Sequence, residues 1–175
     1  DLQTLAPEVI PERAWIPEIG SIYPIDLPRM EIRPGLDMLL ADVPARNLAL
    51  MPNGLGYVHN TLKQTSINFQ TFDFDIIVYH QFHIRRIFDE GGKIVLPSGR
   101  ELPIDPWQAE HYDLWGQDDV HEYFTPEVEA IIAAIVKANP KMMGLSVQGC
   151  NERFSRRVFQ GVKAKCPDII FLAGG

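Results

Sequence analysis

The stretch "MMGLSVQGCNERFSRRVFQGVKAKCPDIIFLAGG", residues 142–175, decides the fold. An apolar run stops at a small polar loop, an amphipathic segment follows, and a second apolar run stops at Gly174-Gly175. Both apolar runs have the length of a buried strand. Between them, Asn151 is typical of a helix cap and Pro167 of a helix end. The apolar positions of this middle segment share one helical face and are Phe154, Val158, Phe159 and Val162. The sequence therefore predicts a strand, a helix and a second strand.

The same alternation extends upstream. We expect a first strand at "NLALM" (47–51), a helix at "LGYVHNTLKQ" (55–64) and a second strand at "INFQTFDFD" (67–75). A further helix begins at Thr125-Pro126 and ends at Asn139-Pro140. Helices that alternate with apolar strands predict an α/β protein with a doubly wound parallel sheet, flavodoxin-like or Rossmann-like. Four strands are one fewer than the usual five, so we expect the sheet to be truncated and the chain to continue beyond residue 175 in a parent protein.

Two regions lack this alternation of strands and helices. Residues 1–45 carry seven prolines and predict an extended Pro-rich arm with a helical turn near 35–41. The α/β domain is expected at 46–175, with 76–124 as an insertion that lies over it. Within the insertion, "KIVLPSGRELPI" (93–104) predicts a hairpin. Its aromatic residues either pack it down on the domain as a lid or form a small core of their own, and we expect the small core.

Composition excludes several function classes. Sixteen Lys and Arg against 23 Asp and Glu give a net charge of −7, which disfavours a nucleic-acid partner. No uncharged apolar stretch approaches the length of a membrane span. Cys150 and Cys166 form no Cys-x-x-Cys pair, which favours reduced thiols and a cytoplasmic protein. His80 and His83 lack further ligands at a fixed spacing, so no metal site is expected there.

Three glycine-containing loops follow predicted strands, at residues 52–56, 146–149 and 174–175. In a doubly wound sheet, ligands bind beyond the carboxyl ends of the strands, where the strand order reverses. Glycine allows a ligand to touch the backbone, and a helix N-terminus presents free N–H groups. The alternative, that these glycines only form tight turns between strands and helices, stays open.

A dinucleotide site is one interpretation of the first loop. Gly54-x-Gly56 follows a predicted strand, and Asp73 and Asp75 lie about where a ribose-binding acid would fall. The third glycine position of that fingerprint is occupied by His59, whose side chain would hinder close packing of helix on strand.

A second interpretation comes from the loops taken together. Ser146-Val147-Gln148 is followed, after 25 intervening residues, by Gly174-Gly175. This spacing resembles the Ser-x-Leu and Gly-Gly motifs of cobalamin-binding domains. With "LALMPNGLGYVHNTLK" upstream, the chain is similar to the N-terminal domain of cobalamin-dependent radical SAM proteins over about residues 46–75 and 125–175.

The chain also departs from the family pattern. Of the family's Asp-x-His-x-x-Gly motif only Gly56 is kept, and Asn53 stands where the cobalt-ligating His would be. Gln148 replaces the Leu of Ser-x-Leu. Many radical SAM members similarly lack that His, so the resemblance implies cobalamin bound without a His ligand from the first loop.

The resemblance also implies where the cofactor would lie. Its nucleotide tail would insert between the first and third strands, with Ser146 hydrogen-bonded to the benzimidazole and the Gly174-Gly175 pair leaving room for the tail. Backbone near 53–56 and 147–151 would face the corrin ring. The cofactor-binding residues implied in this way are Asn53, Gly54, Gly56, Tyr57, Ser146, Val147, Gln148, Gly149, Asn151, Gly174 and Gly175. No catalytic residue is assigned.

The function implied is that of a cobalamin-binding module in a radical SAM enzyme, such as a methyltransferase. An iron–sulfur cluster and S-adenosyl-L-methionine are expected only in a missing C-terminal catalytic domain of the parent. This chain has no Cys-x-x-x-Cys-x-x-Cys motif, so we expect no radical activity from it alone. The alternatives are a free-standing corrinoid carrier or sensor, and a dinucleotide-binding Rossmann-like domain that uses Gly54, Gly56 and Asp73 or Asp75.

Overall fold

A four-stranded parallel sheet organises the protein. The computed structural model describes residues 29–45, 48, 52–88 and 92–175. The strands are β1 (Met38–Asp42), β2 (Phe69–Asp73), β3 (Met142–Ser146) and β4 (Ile170–Gly174). They pair in the order β2-β1-β3-β4. The chain runs from β1 to its neighbour β2 and then crosses to β3 on the other side of β1, so the strand order reverses between β1 and β3. The predicted α/β class with a parallel sheet is confirmed.

Helices connect the strands. They are α1 (Asn53–Leu62), α2 (Phe74–Phe88), a 3₁₀ helix (Ala109–Gly116), α3 (Asp118–Tyr123), α4 (Thr125–Ala138) and α5 (Glu152–Lys165). The helices predicted around 55–64, from residue 125 and after residue 151 are confirmed. Asn139 ends α4 in the left-handed conformation, with φ of 46°, which asparagine tolerates better than most residues.

The first strand differs from the prediction. β1 lies at "MLLAD", inside the segment interpreted as an arm, and the helical turn predicted near 35–41 is wrong. Met38 pairs with Phe69 on one side and with Met142 on the other, so this strand is central in the sheet. The prolines at 34 and 44 lie outside the strand and frame it instead of breaking it. Of the strand predicted at 47–51, only Leu48 is described, and it lies in a turn.

The segment interpreted as an insertion also differs. α2 begins directly after β2 and buries Phe74, Val78 and Phe82, at helical spacing, in the main core. Trp107 and Trp115 belong to that same core, so the expectation of a separate small core is wrong. The predicted hairpin is reduced to one antiparallel bridge, between Val95 and Glu101.

The two faces of the sheet are covered unequally. On one face, side chains of α2, α4 and α5 pack against alternate residues of the strands, including Leu39, Ala41 and Met143. On the other face, α1 contributes Leu55 to a smaller cluster with Met38 and Leu40. Beside α1, the same face of β4 is exposed: Ile170 keeps 57% and Leu172 keeps 46% of its accessible surface. Among the described residues, none of the helices is long and apolar enough to cross a membrane.

Candidate functional site

A groove lies on this open face of the sheet, between α1 and strand β4. Its cavity volume is about 340 Å³, within the range of roughly 300–1,000 Å³ for ligand pockets. The described residues that line it are Met38, Leu40, Gly54, Val58, Gly144, Leu145, Ser146, Leu172, Ala173, Gly174 and Gly175. We call it the sheet-face groove. It ends at the carboxyl edge of β1 and β3, where the strand order reverses, which is the expected ligand position in a doubly wound sheet.

Glycines shape this groove. A β-carbon at Gly54 or Gly174 would have no atom within 4 Å, so neighbouring side chains do not demand glycine at either position. Gly54 sits in a helix, where glycine costs up to about 1 kcal/mol relative to alanine. At Gly175 the neighbouring backbone leaves no room for a side chain, because a β-carbon would lie 1.8 Å from the carbonyl oxygen of Val147. A side chain at either of the first two positions would therefore extend into the open space of the groove.

Ser146 carries the polar side chain of the groove. It is the last residue of β3, it is half-buried, and it pairs in register with Gly174. Its hydroxyl has no hydrogen-bond partner within the described part of the chain. A hydroxyl can donate one hydrogen bond and accept others. At the carboxyl end of an apolar groove, it is placed to fix the orientation of a bound ring.

The loop from β3 to α5 is ordered by a buried amide. Asn151 is fully buried and uses both ends of its side chain. Its Oδ1 accepts a hydrogen bond from the Gln148 amide at 2.7 Å, and its Nδ2 donates to the Ser146 carbonyl at 3.0 Å and to Asp42 Oδ1 at 3.3 Å. Asn151 therefore ties the loop to the end of β1. It is fully buried and does not line the groove; the cofactor contact implied for it was one of loop backbone with the corrin ring.

The remaining residues of this loop do not line the groove, and Val147 and Cys150 pack against the main core. The Val147 amide donates to the Gly174 carbonyl at 2.7 Å, which joins the loops after β3 and β4. Gln148 and Gly149 are exposed. Cys150 contacts Tyr112 of the 3₁₀ helix, and burial raises the pKa of its thiol, so the thiol stays protonated at neutral pH. The loop thus presents the exposed residues Gln148 and Gly149 to a ligand, and no charged side chain.

The first-loop residues are divided by α1. Gly54 lines the sheet-face groove, whereas Asn53, Gly56 and Tyr57 line a different cavity of about 380 Å³ on the β2 side of the helix. We call it the helix-edge cavity. Its other described lining residues are Pro52, Leu55, His59, Asn60, Thr71 and Asp73. The candidate residues therefore do not form one continuous lining.

His59 spans the helix-edge cavity. Its Nδ1 lies 2.7 Å from Thr71 Oγ1, and its ring packs edge-on against Phe69. The imidazole thus joins α1 to β2 and occupies the position that the dinucleotide fingerprint gives to its third glycine. Asp75, the other acid considered for a ribose, is fully buried and accepts a hydrogen bond from Trp107 Nε1 at 2.6 Å. It faces the core and lines neither cavity.

Several groove residues were missed by the sequence reasoning. Met38 and Leu40 were missed because β1 was placed too late in the chain. Leu172 was expected in a buried strand and Val58 was not singled out as a site residue, although both line the groove and are about half exposed. Gly144 carried a usable signal, since a glycine inside a strand often marks a close approach of another group.

Neither cavity resembles a metal centre. In the described ranges, no group of three or more His, Cys, Asp or Glu side chains is placed to hold a metal ion. His83 lies with its Nε2 3.8 Å from the Asp105 carboxylate and packs edge-on against Tyr79. Comparison of the chain with protein-family models, with curated proteins and with solved structures finds no match.

Proposed function

We propose that this protein is a cobalamin-binding module, and that the sheet-face groove receives the nucleotide tail of the cofactor. The observation that carries the proposal is that Gly54, Ser146, Gly174 and Gly175 line one groove, although 92 positions separate the first of them from the second. The resemblance to cobalamin-dependent radical SAM proteins implied Ser146, Gly174 and Gly175 for the nucleotide tail, and it implied that backbone near Gly54 would face the corrin ring. The strand β1, which the spacing did not locate, supplies the floor of the same groove through Met38 and Leu40.

The residues present fit such a group. A flat heteroaromatic base needs a slot with apolar walls and one hydrogen-bond partner at its end. The groove offers this through the apolar side chains of Leu40 and Leu172 and through Ser146 as the partner. The open space at Gly54 and Gly174 leaves room for a bulky tail next to the backbone. The exposed residues Gln148 and Gly149 follow the carboxyl end of β3, where the corrin ring would be expected.

Protein ligation of the cobalt from α1 is not part of the proposal. The helix contains one histidine, His59, and its Nδ1 is bonded to Thr71 on the side away from the groove. Asn53 offers an amide where the family motif has its imidazole. We therefore propose cobalamin held by its tail, without a His ligand from the first loop.

The chemistry of the bound cofactor would be that of a methyl-carrying or redox-active cobalt. Residues of this chain would bind and orient the cofactor. Radical chemistry, with methyl transfer as the main case, is proposed for an iron–sulfur and S-adenosyl-L-methionine domain that acts together with this module. The chain has two cysteines, too few for the three-cysteine cluster motif.

Binding is tested with hydroxocobalamin. The protein is mixed with the cofactor, desalted and examined by visible absorption, with circular dichroism as the check on folding. We expect the wild-type protein to retain corrin absorbance after desalting. The retained absorbance should fall in Ser146→Leu and Gly174→Leu, because their side chains fill the groove. Gly116→Leu is the matched control, because Gly116 is exposed and has open space around it without lining the groove.

The variants also distinguish the sheet-face groove from the helix-edge cavity. Asn53→Ala should retain the cofactor and change its spectrum only slightly, since Asn53 does not line the groove. A folded wild-type protein that retains no corrin would overturn the proposal. Equal retention in all four variants would show that the tail binds elsewhere.

A dinucleotide site is a second candidate with its own observation. Gly56 and Asp73, two residues of the partial fingerprint, line the same helix-edge cavity. Against it, the His59 side chain bridges α1 and β2 where close packing of helix and strand would be needed. The candidate predicts that NAD binds the protein in equilibrium dialysis and that Asp73→Asn abolishes the binding. Retention of cobalamin with no response to NAD would exclude it.

A further inference from the structure

The lining of the sheet-face groove points to a choice among corrinoids. We infer that the groove selects cobamides whose nucleotide base is a benzimidazole over cobamides whose base is a purine. The inference rests on the proposed function, because it assigns the groove to the tail of the cofactor. It goes further by naming which form of the cofactor this chain takes.

The side chains of the groove provide the reason. Those that the structure describes are Met38, Leu40, Val58, Leu145, Ser146, Leu172 and Ala173, and the other lining residues are glycines. Ser146 is the one member of this set with a polar side chain. Charged side chains are absent from the described lining. Beyond its hydrogen bond with Ser146, a bound base would meet carbon atoms along most of its length.

A purine and a benzimidazole differ along that length. A benzimidazole has one nitrogen for Ser146 and a carbocyclic edge, with or without methyl groups, that gains free energy on burial against Leu40 and Leu172. Adenine has an amino group and extra ring nitrogens on the corresponding edge. In an apolar slot these lose their hydrogen bonds to water without replacement. One such loss is enough for about a tenfold difference in affinity.

Leu172 is the position at which this preference can be changed. It lies on the edge strand β4, pairs in register with Gly144 at the floor of the groove and is 46% exposed. An amide in its place would give the purine edge a hydrogen-bond partner without being buried itself. Ile170 offers a matched control, since it lies two residues earlier on the same face, is 57% exposed and does not line the groove.

The test compares three corrinoids with the full chain. Equilibrium dialysis measures the affinity for cobalamin, for its adenine-containing analogue and for cobinamide, which has no nucleotide base. We expect cobalamin to bind at least about tenfold more tightly than the adenine analogue, and cobinamide to bind more weakly than cobalamin. Leu172→Asn should lower the ratio of the affinities for cobalamin and the adenine analogue severalfold, whereas Ile170→Asn should leave this ratio unchanged. Circular dichroism checks that both variants are folded.

The outcomes separate the inference from the proposed function. Equal binding of cobalamin and its adenine analogue would overturn the inference and leave the function standing. Cobinamide bound as tightly as cobalamin would overturn it as well, because the base would then lie outside the groove. An equal change of preference in both variants would show that Leu172 does not contact the base. Failure of all three corrinoids to bind would overturn the proposed function itself.

Discussion

Gly144 and Leu40 lie opposite each other on neighbouring strands, and a β-carbon on Gly144 would come within 2.9 Å of Leu40 Cδ2. The contact is on the groove face of the sheet, where both residues belong to the lining. The absence of a side chain at Gly144 therefore lets Leu40 lie flat against β3. The depth of the sheet-face groove depends on this pair.

The first prediction concerns this contact. Gly144→Ala should lower cobalamin affinity by about tenfold or more, because the new methyl group and a displaced Leu40 would fill the groove. Its effect on stability should stay small, since the atom that must move is the end of a flexible side chain. Equilibrium dialysis and urea unfolding measure the two effects.

A matched control lies on the opposite face. Gly161 packs α5 on α4, and a β-carbon there would lie 2.3 Å from Cδ1 of the buried Ile132. Gly161→Ala should cost roughly 1–3 kcal/mol of stability through overpacking and leave the affinity of the folded protein unchanged. Loss of affinity in both variants, in step with stability, would contradict a specific role for Gly144.

The second prediction concerns the buried amide of Asn151. Asn151→Ala removes three hydrogen bonds and leaves the Gln148 amide without its partner at 2.7 Å. We expect a loss of roughly 1–3 kcal/mol in the free energy of unfolding, measured by urea denaturation. Gln148→Ala is the control, because its side chain is exposed. Equal, small losses in the two variants would show that the amide does not order the loop.

The third prediction is a pH dependence from His121. Burial lowers the pKa of this imidazole from 6.5 to about 4, and its Nε2 lies 2.6 Å from the Trp115 carbonyl. His121 is therefore protonated near pH 6.5 in the unfolded chain, whereas in the folded protein it is protonated only near pH 4. The contribution of His121 to stability is present above pH 6.5 and is lost as the pH falls through this window.

Denaturant unfolding at pH 7 and pH 5 measures that loss. His121→Gln keeps a side-chain N–H donor for the Trp115 carbonyl and removes the titrating group. It should therefore lose less stability than the wild type between the two pH values. An identical pH dependence in variant and wild type would assign the effect to other groups.

The fourth prediction concerns the segment between α2 and α4. Trp107 Nε1 donates to the buried Asp75 carboxylate at 2.6 Å, and its ring packs against Phe82. Trp107→Phe should cost roughly 1.5–3 kcal/mol, since hydrogen bonds to charged groups are among the strongest. Ile104→Ala, at a side chain that is 73% exposed, should change stability little. A Trp107→Phe protein as stable as the Ile104→Ala protein would show that the hydrogen bond between Trp107 and Asp75 does not stabilise the fold.

Much of the fold could be predicted because its signals are local. β3, α5 and β4 are adjacent in the chain, and their apolar periods and breakers stand next to one another. β1 could not be placed in the same way. Its partners, Phe69 and Met142, lie far along the chain, and its short apolar run stands between prolines that favour an arm.

The site was predictable only in part, for a similar reason. Ser146 and Gly174 follow predicted strands, so their position at the carboxyl edge could be inferred from the topology of such sheets. The side of α1 on which each first-loop residue faces depends on helix rotation, which spacing alone did not settle. Asn53 and Gly56 consequently fell on the other side from Gly54. The buried role of Asn151 depends on Asp42, 109 positions away.

Electron paramagnetic resonance of cob(II)alamin with excess protein tests the central claim most directly. If the nucleotide tail lies in the sheet-face groove and α1 supplies no imidazole, then no nitrogen ligates the cobalt from below. The account predicts a spectrum without nitrogen superhyperfine splitting, and a return of that splitting in Ser146→Leu, in which the tail is released. A wild-type spectrum that retains the splitting, as free cob(II)alamin does at neutral pH, would contradict it.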